Sequence, residues 1–140
     1  MDRSSQHEAL ILHMWPVGDI HASVDLLTRH GGLIRATAYG ARSMKGSLRG
    51  KVVPFATGTA YLYYQPNRDA YKITDYDVAD YHLGIQDDLR SYYAASMIAE
   101  IVRRTFAGGG DTEEHTYALV HESLTWLNTV GTMIRGQGGW

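Results

Sequence analysis

Cysteine is absent from the 140 residues, which removes disulfides, CxxC zinc sites and thiol nucleophiles together. A chain with no thiol to pair or protect is expected in a reducing, cytoplasmic compartment. Proline is scarce, three in all, and no apolar run approaches the ~20 residues that a membrane span needs. The start, Met1-Asp2-Arg3-Ser4-Ser5-Gln6-His7-Glu8, is polar, and the apolar run after it is interrupted by His13 and stopped by Pro16 near Gly18. That pattern is no signal peptide, so a soluble, unexported protein is expected. An excess of positive charge is missing as well. The 13 Lys and Arg against 15 Asp and Glu leave a formal charge of -2, so a nucleic-acid site has to come from local clustering.

Enzyme signatures are also missing. There is no GxxxxGK[ST] phosphate loop, and the triple glycine at 108–110 has neither a preceding strand nor a following Lys. No GxSxG elbow or HExxH pair is present. His115 and His121 stand six apart, on different sides of a helix, and read as surface histidines rather than a metal pair. Asp75, Asp77 and Asp80 form the one local carboxylate cluster that could recruit Mg²⁺. They read equally as the solvated face of a strand, because Asp75 and Asp77 alternate with Thr74 and Tyr76. The expectation is a non-enzymatic protein with no cofactor and no metal, a metal-using enzyme built on Asp75 and Asp77 standing as the outside alternative.

What is present is the composition of a globular chain, 44% hydrophobic and 20% charged. From Glu8 to Val78 apolar residues recur with a period near two and Gly or Pro punctuates the runs, which predicts a meander of strands at about 9–15, 21–29, 33–39, a bent one at 52–64, and 71–78. Gly31-Gly32 supplies one tight turn and Gln65-Pro66-Asn67-Arg68-Asp69 another, while Pro54 marks an edge or a bend. Five short strands suit a small barrel of OB type. After Asp80 the period turns helical. Ile85, Leu89, Tyr93, Met97 and Ile101 fall four apart, with Val102 and Phe106 extending the stripe, and predict one helix of about five turns. Gly108-Gly109-Gly110 ends it, and Asp111 with Glu114 reads as a capping box for the next helix. That helix carries Tyr117, Val120, Leu124 and Leu127 on one side and Leu119, Trp126 and Met133 on another, so it should pack against more than one element. The division expected is a β-barrel nucleic-acid-binding domain at 1–80 and a small helical domain at 81–140, α+β overall.

Charge is segregated along the chain. Between Arg29 and Lys51 lie Arg29, Arg35, Arg42, Lys45, Arg49 and Lys51 and no Asp or Glu, whereas Asp69, Asp75, Asp77, Asp80, Asp87 and Asp88 downstream meet only Lys72 and Arg90. The basic stretch centres on Tyr39-Gly40-Ala41-Arg42-Ser43-Met44-Lys45-Gly46-Ser47-Leu48-Arg49-Gly50, a glycine-rich loop. Cations on flexible stems beside exposed backbone N–H groups are what phosphates need. A merely solvated loop fits the same charges. Period two places Arg35, Thr37 and Tyr39 on one face, and Tyr61 and Tyr63 share a face opposite Ala60 and Leu62. Such rings can stack bases at about 1–3 kcal/mol each, and they serve as readily in a barrel core. The candidate DNA contacts are therefore Arg42, Lys45, Arg49 and Lys51 on phosphates, Arg35 supporting them, and Tyr39, Tyr61 and Tyr63 as stacking platforms.

The run His21-Ala22-Ser23-Val24-Asp25-Leu26-Leu27-Thr28-Arg29-His30-Gly31-Gly32-Leu33, then Gly40-Ala41-Arg42, Leu48-Arg49-Gly50 and Pro54-Phe55, resembles in order and spacing the amino-terminal domain of the RecO family of recombination mediators. Leu83-Gly84-Ile85-Gln86-Asp87-Asp88-Leu89-Arg90 and Tyr93-Ala94-Ala95-Ser96 are similar to the first helix of its second domain, so the resemblance covers about residues 9–105. It implies an OB-fold followed by a helical domain, binding of single- and double-stranded DNA, annealing of complementary strands, and loading of the recombinase onto strands coated by single-strand-binding protein. It also implies RecR and single-strand-binding protein as partners, and a cytoplasmic, nucleoid-associated place of work. The family often carries Lys before Gly-Ala-Arg and more basic residues after it, where this chain has Tyr39, Ser43, Met44 and Ser47, so the loop is less basic than usual. Family members are commonly longer, and the helical part is expected to be incomplete. The competing expectation is a protein-interaction adaptor whose barrel docks a partner subunit and binds little DNA itself.

Overall fold

A computed structural model describes residues 3–106 and 114–137. Five strands form a closed barrel: β1 (Ser4–Val17), β2 (His21–Thr28), β3 (Gly32–Ala38), β4 (Thr57–Gln65) and β5 (Ala70–Asp80), in the order β1-β2-β3-β5-β4 and back to β1. All neighbours are antiparallel except β3 and β5, which pair in parallel through Ala36–Tyr71 and Thr37–Lys72. This is the five-stranded barrel of the OB-fold. The long β1 makes closure possible. Its first half, Ser4 to Leu10, pairs with β4 and its second half with β2, with an irregularity between Ile11 and His13 where it bends from one neighbour to the other.

Strand alternation sorts the side chains. Ala9, Ile11, Val24, Leu26, Ala36, Ala38, Ala60, Leu62, Ile73 and Tyr76 fill the barrel, two apart along each strand except in β5, where a register shift opposite Tyr61 and Leu62 sets Ile73 and Tyr76 three apart. The Tyr76 hydroxyl, buried at the centre, lies 2.9 Å from the Ala56 carbonyl and 3.2 Å from that of Ala9, and burial raises its pKa. On the outside of β1 and β2, Leu10, Leu12 and Leu27 belong to a second core shared with the helices.

Those helices are α1 (Leu83–Gln86), α2 (Leu89–Thr105) and α3 (Glu114–Gln137). The single helix expected from Ile85 to Phe106 is broken. Asp88 has extended backbone and accepts the Ser91 N–H at 3.0 Å and the Ser91 hydroxyl at 2.7 Å, an N-cap that starts a new helix. The Ser91 hydroxyl bond holds the Asp88 carboxyl below its usual range, with the Ser91 N–H adding to it. The expected stripe is buried only at its ends, at Ile85 and Val102, and not along its middle. Leu89, Tyr93, Met97 and Ile101 are 62–68% exposed, while Ala95, Ala99 and Val102 join the core on the barrel's outer side and the buried Ser91 stands beside Gly131 of α3. Small side chains let the helix axis approach the already bulky Leu10, Leu12 and Phe55, so the face with less apolar volume is the buried one. In α3, Tyr117, Val120, Leu124 and Leu127 are buried against the barrel and the other helices, and Leu119, Trp126 and Met133 are exposed. The triple glycine at 108–110 and Asp111, read as a helix end and a cap, lie outside the described residues.

The predicted strand at 52–64 is shorter than expected. β4 begins at Thr57, and 52–56, with Pro54 and a positive φ of 69° at Phe55, turn into the body of the protein. His82, also left-handed at φ 53°, is 1% exposed at the end of β5, its Nδ1 2.7 Å from the Phe55 carbonyl. No helix among the described residues is long and apolar enough to cross a membrane.

Close approach of α1 and α3 depends on two glycines. A Cβ at Gly131 would lie 2.1 Å from the Gly84 carbonyl oxygen, and one at Gly84 would lie 2.1 Å from that of Asn128. Alanine ordinarily stabilises a helix interior by about 1 kcal/mol over glycine. Here Gly131→Ala is expected to do the reverse and lower unfolding stability by about 1–3 kcal/mol, as overpacked cores do, measured by chemical denaturation of the two proteins.

Candidate nucleic-acid interface

The basic loop is a plug rather than a flexible tether. Between β3 and β4, residues 39–56 run as consecutive turns, joined by backbone bonds from Ser43 to Gly40, Gly46 to Ser43, Arg49 to Gly46 and Val52 to Leu48. Leu48 and Val52, 3% and 4% exposed, enter the barrel core. Gly46 lets the loop fold on itself, since a Cβ there would lie 2.1 Å from the Gly40 carbonyl oxygen. Two bonds tie the loop to the β1–β2 hairpin: the Arg42 N–H donates to the Ile20 carbonyl at 2.8 Å and the Gly40 N–H to His21 Nδ1 at 2.8 Å.

With Leu48 and Val52 drawn inward, the loop turns its cations out, together with the exposed Met44. Arg42, Lys45 and Arg49 are exposed, and none is within salt-bridge distance of a carboxylate among the described residues. Arg42 reaches the Gly18 carbonyl at 3.0 Å, and Arg49 lies against the Met44 sulfur. The other cations of the acid-free stretch are otherwise engaged. Lys51 pairs with Asp75 at 3.1 Å, and that bond, with the Tyr76 N–H, holds the Asp75 carboxyl below its usual range. Arg29 joins Glu8 at 2.6 Å and Glu114 at 3.0 Å. Arg35 leaves the loop altogether, donating to Asp25 at 2.9 Å on the outer side of β2 and β3.

The tyrosines divide similarly. Tyr39 sits at the loop's start with its ring edge-on to His21 at 5.2 Å, and its hydroxyl accepts from Arg68 of the β4–β5 turn at 2.9 Å. The plug, the β1–β2 turn and the β4–β5 turn therefore meet at one rim of the barrel, where OB barrels carry ligand-binding loops. Tyr61 and Tyr63 lie on the outer face of β4, opposite Asp75 and Lys72, and Lys72 Nζ stands 5.4 Å over the Tyr63 ring. Arg68 and Lys72 are cations that sequence reasoning passed over, because they lie in the acidic half of the chain. Only the parallel β3–β5 pairing, which sets Thr37 beside Lys72, brings them round to the basic side. Asp75 and Asp80 have structural partners, Asp80 Oδ1 accepting the His82 N–H at 2.8 Å. No group of three or more metal-ligating side chains occurs among the described residues.

Residues 1–82 match the family described as recombination protein O, N terminal. Among curated relatives, the DNA repair protein RecO of Nostoc punctiforme is 32% identical over 130 residues, 93% of this chain and 42% of its own length. That of Gloeothece citriformis is 30% identical over 132 residues, 94% of this chain and 46% of its own. That of a Thermoanaerobacter species is 26% identical over 117 residues, 84% of this chain and 46% of its own. The chain thus spans less than half the length of these relatives.

If the plug presents the cations, loosening it should free them. Leu48→Ala is expected to cost about 2–5 kcal/mol of stability, as large-to-small core changes do, and to accelerate trypsin cleavage after Arg42, Lys45 and Arg49 before the barrel is cut. Mass spectrometry of a limited digest reports both the rate and the sites.

Proposed function

The chain belongs to the RecO family, and from that premise we propose that it is a non-enzymatic DNA-binding module of a recombination mediator in DNA repair. The observation that carries this reading is the set of three exposed loop cations, Arg42, Lys45 and Arg49, with no carboxylate partner among the described residues, at the rim of an OB barrel. Cations on a fixed loop attract phosphates without reading bases, because release of condensed counterions drives such binding whatever the sequence. In this reading Arg42, Lys45 and Arg49 meet phosphates and Lys51 joins them by exchanging Asp75 for a phosphate. Arg35 supports these phosphate contacts from β3, and Tyr39, Tyr61 and Tyr63 offer rings to unpaired bases.

Sequence-independent binding suits annealing, in which two strands must be held with their repulsion screened and their base edges free. The barrel at 1–80 does this work in the proposal, with the helical part at 81–140 as its companion. Loading of the recombinase onto strands coated by single-strand-binding protein, with RecR as partner, in the cytoplasm and on the nucleoid, completes it. The test is Arg42→Glu together with Lys45→Glu. The double variant is expected to bind a fluorescent single-stranded oligonucleotide at least about tenfold more weakly at low salt, with an unchanged melting temperature. Wild-type affinity in the double variant would refute the site.

A second reading, a protein-interaction adaptor, is favoured by a different observation. Met97, Ile101, Leu119 and Trp126 line an open apolar groove of about 620 Å³ between α2 and α3, larger than isolated surface residues account for. The adaptor reading predicts capture of RecR or single-strand-binding protein by a protein whose DNA affinity is negligible, so parallel titrations with DNA and with each protein separate the two.

A further inference from the structure

One site on the barrel is built around a buried carboxylate. Asp25, on the outer face of β2 and 4% exposed at its side chain, accepts Arg35 Nε at 2.9 Å and Nη2 at 3.4 Å, and Arg103 Nε of α2 at 2.9 Å. Both guanidinium groups also face the indole of Trp15, Arg35 at 4.6 Å from the ring centroid and Arg103 at 5.6 Å. Arg35 is therefore held at one edge by the carboxylate and lies against an aromatic ring, yet its side chain remains 65% exposed. Beside it opens a cavity of about 460 Å³ walled by Leu33 and Phe106 on the apolar side and by Arg103, Arg104 and Glu100 on the polar side. That volume falls within the roughly 300–1,000 Å³ of small-ligand sites.

Charge alone does not explain such a site. Arg35 and Arg103 share Asp25, and Arg104 pairs with Glu100 at 2.9 Å, which leaves a single net positive charge among five ionised groups. The distinctive feature is geometric: a delocalised, weakly hydrated cation whose edge is anchored and which keeps an accessible surface. Guanidinium planes of this kind stack on bases as aromatic rings do. Arg103 spends only its Nε on Asp25, so its terminal N–H groups remain available to an oxygen.

We infer that this cavity receives one unpaired base, stacked on the guanidinium of Arg35, with the adjoining phosphate held by Arg103 and Arg104. The inference rests on the proposed binding of single strands and adds to it a base-dependent contact outside the plug loop. A base inside a duplex has both faces covered by its neighbours and cannot enter, so the site favours single strands. Arg35 then acts through its plane rather than as an auxiliary phosphate contact.

The experiment compares two labelled oligonucleotides of equal length and charge, one of thymidines and one abasic throughout, by fluorescence anisotropy with the full chain. Wild type is expected to bind the thymidine strand at least about fivefold more tightly, the low end of one base stacked on a side chain. Arg35→Lys keeps the charge and loses the plane. It should lower the preference for the thymidine strand by about fivefold, the share of one stacked base, leave any remainder to the tyrosine rings, and leave abasic binding unchanged. Phe106→Ala, which removes a cavity wall, should lower the preference too and serves if Arg35→Lys does not fold. Equal affinity of wild type for both strands overturns the inference, as does an intact preference in the folded variants. The Arg42→Glu, Lys45→Glu variant should weaken both strands alike. An absence of binding to either strand by wild type would instead sink the DNA-binding reading itself.

Discussion

Burial of Leu48 and Val52 in the mouth of the barrel is the constraint on which the rest of the molecule's surface depends. The barrel is narrow and its own strands supply mostly alanine and single aliphatic side chains, so two more apolar groups are needed to close it. Once they are inside, the turns that carry them are held against the barrel. Arg42, Lys45 and Arg49 are exposed on those anchored turns. Backbone bonds from Gly40 and Arg42 to the β1–β2 hairpin fix where that display sits.

A second set of contacts joins barrel and helices. Leu10, Leu12 and Leu27 on the outside of β1 and β2 meet Ala95, Ala99 and Val102 of α2 and Tyr117, Val120 and Leu124 of α3 in one apolar cluster. Burial within it pushes the Tyr117 phenol up to about 12. Polar anchors flank that cluster. His82 links the end of β5 to the plug through the Phe55 carbonyl, and Asp25 links β2 to α2 through Arg103. A buried carboxylate in an apolar setting is costly unless paired, and Asp25 is paired twice. The same pairing leaves Arg35 anchored against Trp15, so a structural requirement of the fold arranges a surface that chemistry can use.

Much of the barrel was legible because strand alternation is local: inward Ala9, Ile11, Val24, Leu26, Ala36 and Ala38 follow period two without help from distant residues. The plug was less so. Val52 and Phe55 read as strand because they are apolar, and only the three-dimensional closure of the barrel decides that they turn inward as loop residues. The helix face failed for a related reason. Leu89, Tyr93, Met97 and Ile101 make the more hydrophobic stripe, but the partner surface already carries large side chains, and volume complementarity selects Ala95 and Ala99 instead. Along the chain the charges segregate cleanly, and in space they partly recombine. Lys51 finds Asp75 across 24 positions and Arg35 shares Asp25 with Arg103 from 78 positions away. Pairings at that separation depend on strand register and helix docking, which no local pattern of residues encodes. The sharing of Trp15 by two guanidinium groups is invisible for the same reason.

The account's central claim is that the plug loop presents three uncompensated cations to a phosphate backbone. The most direct measurement is the salt dependence of single-stranded DNA binding by the wild-type chain. Each phosphate contact on a single strand contributes about -0.7 to the slope of log K against log salt, so the three plug cations predict a slope of about -2, steeper by about 0.7 once Lys51 joins them. A slope near zero would contradict the claim, because binding that ignores salt is not binding through those side chains.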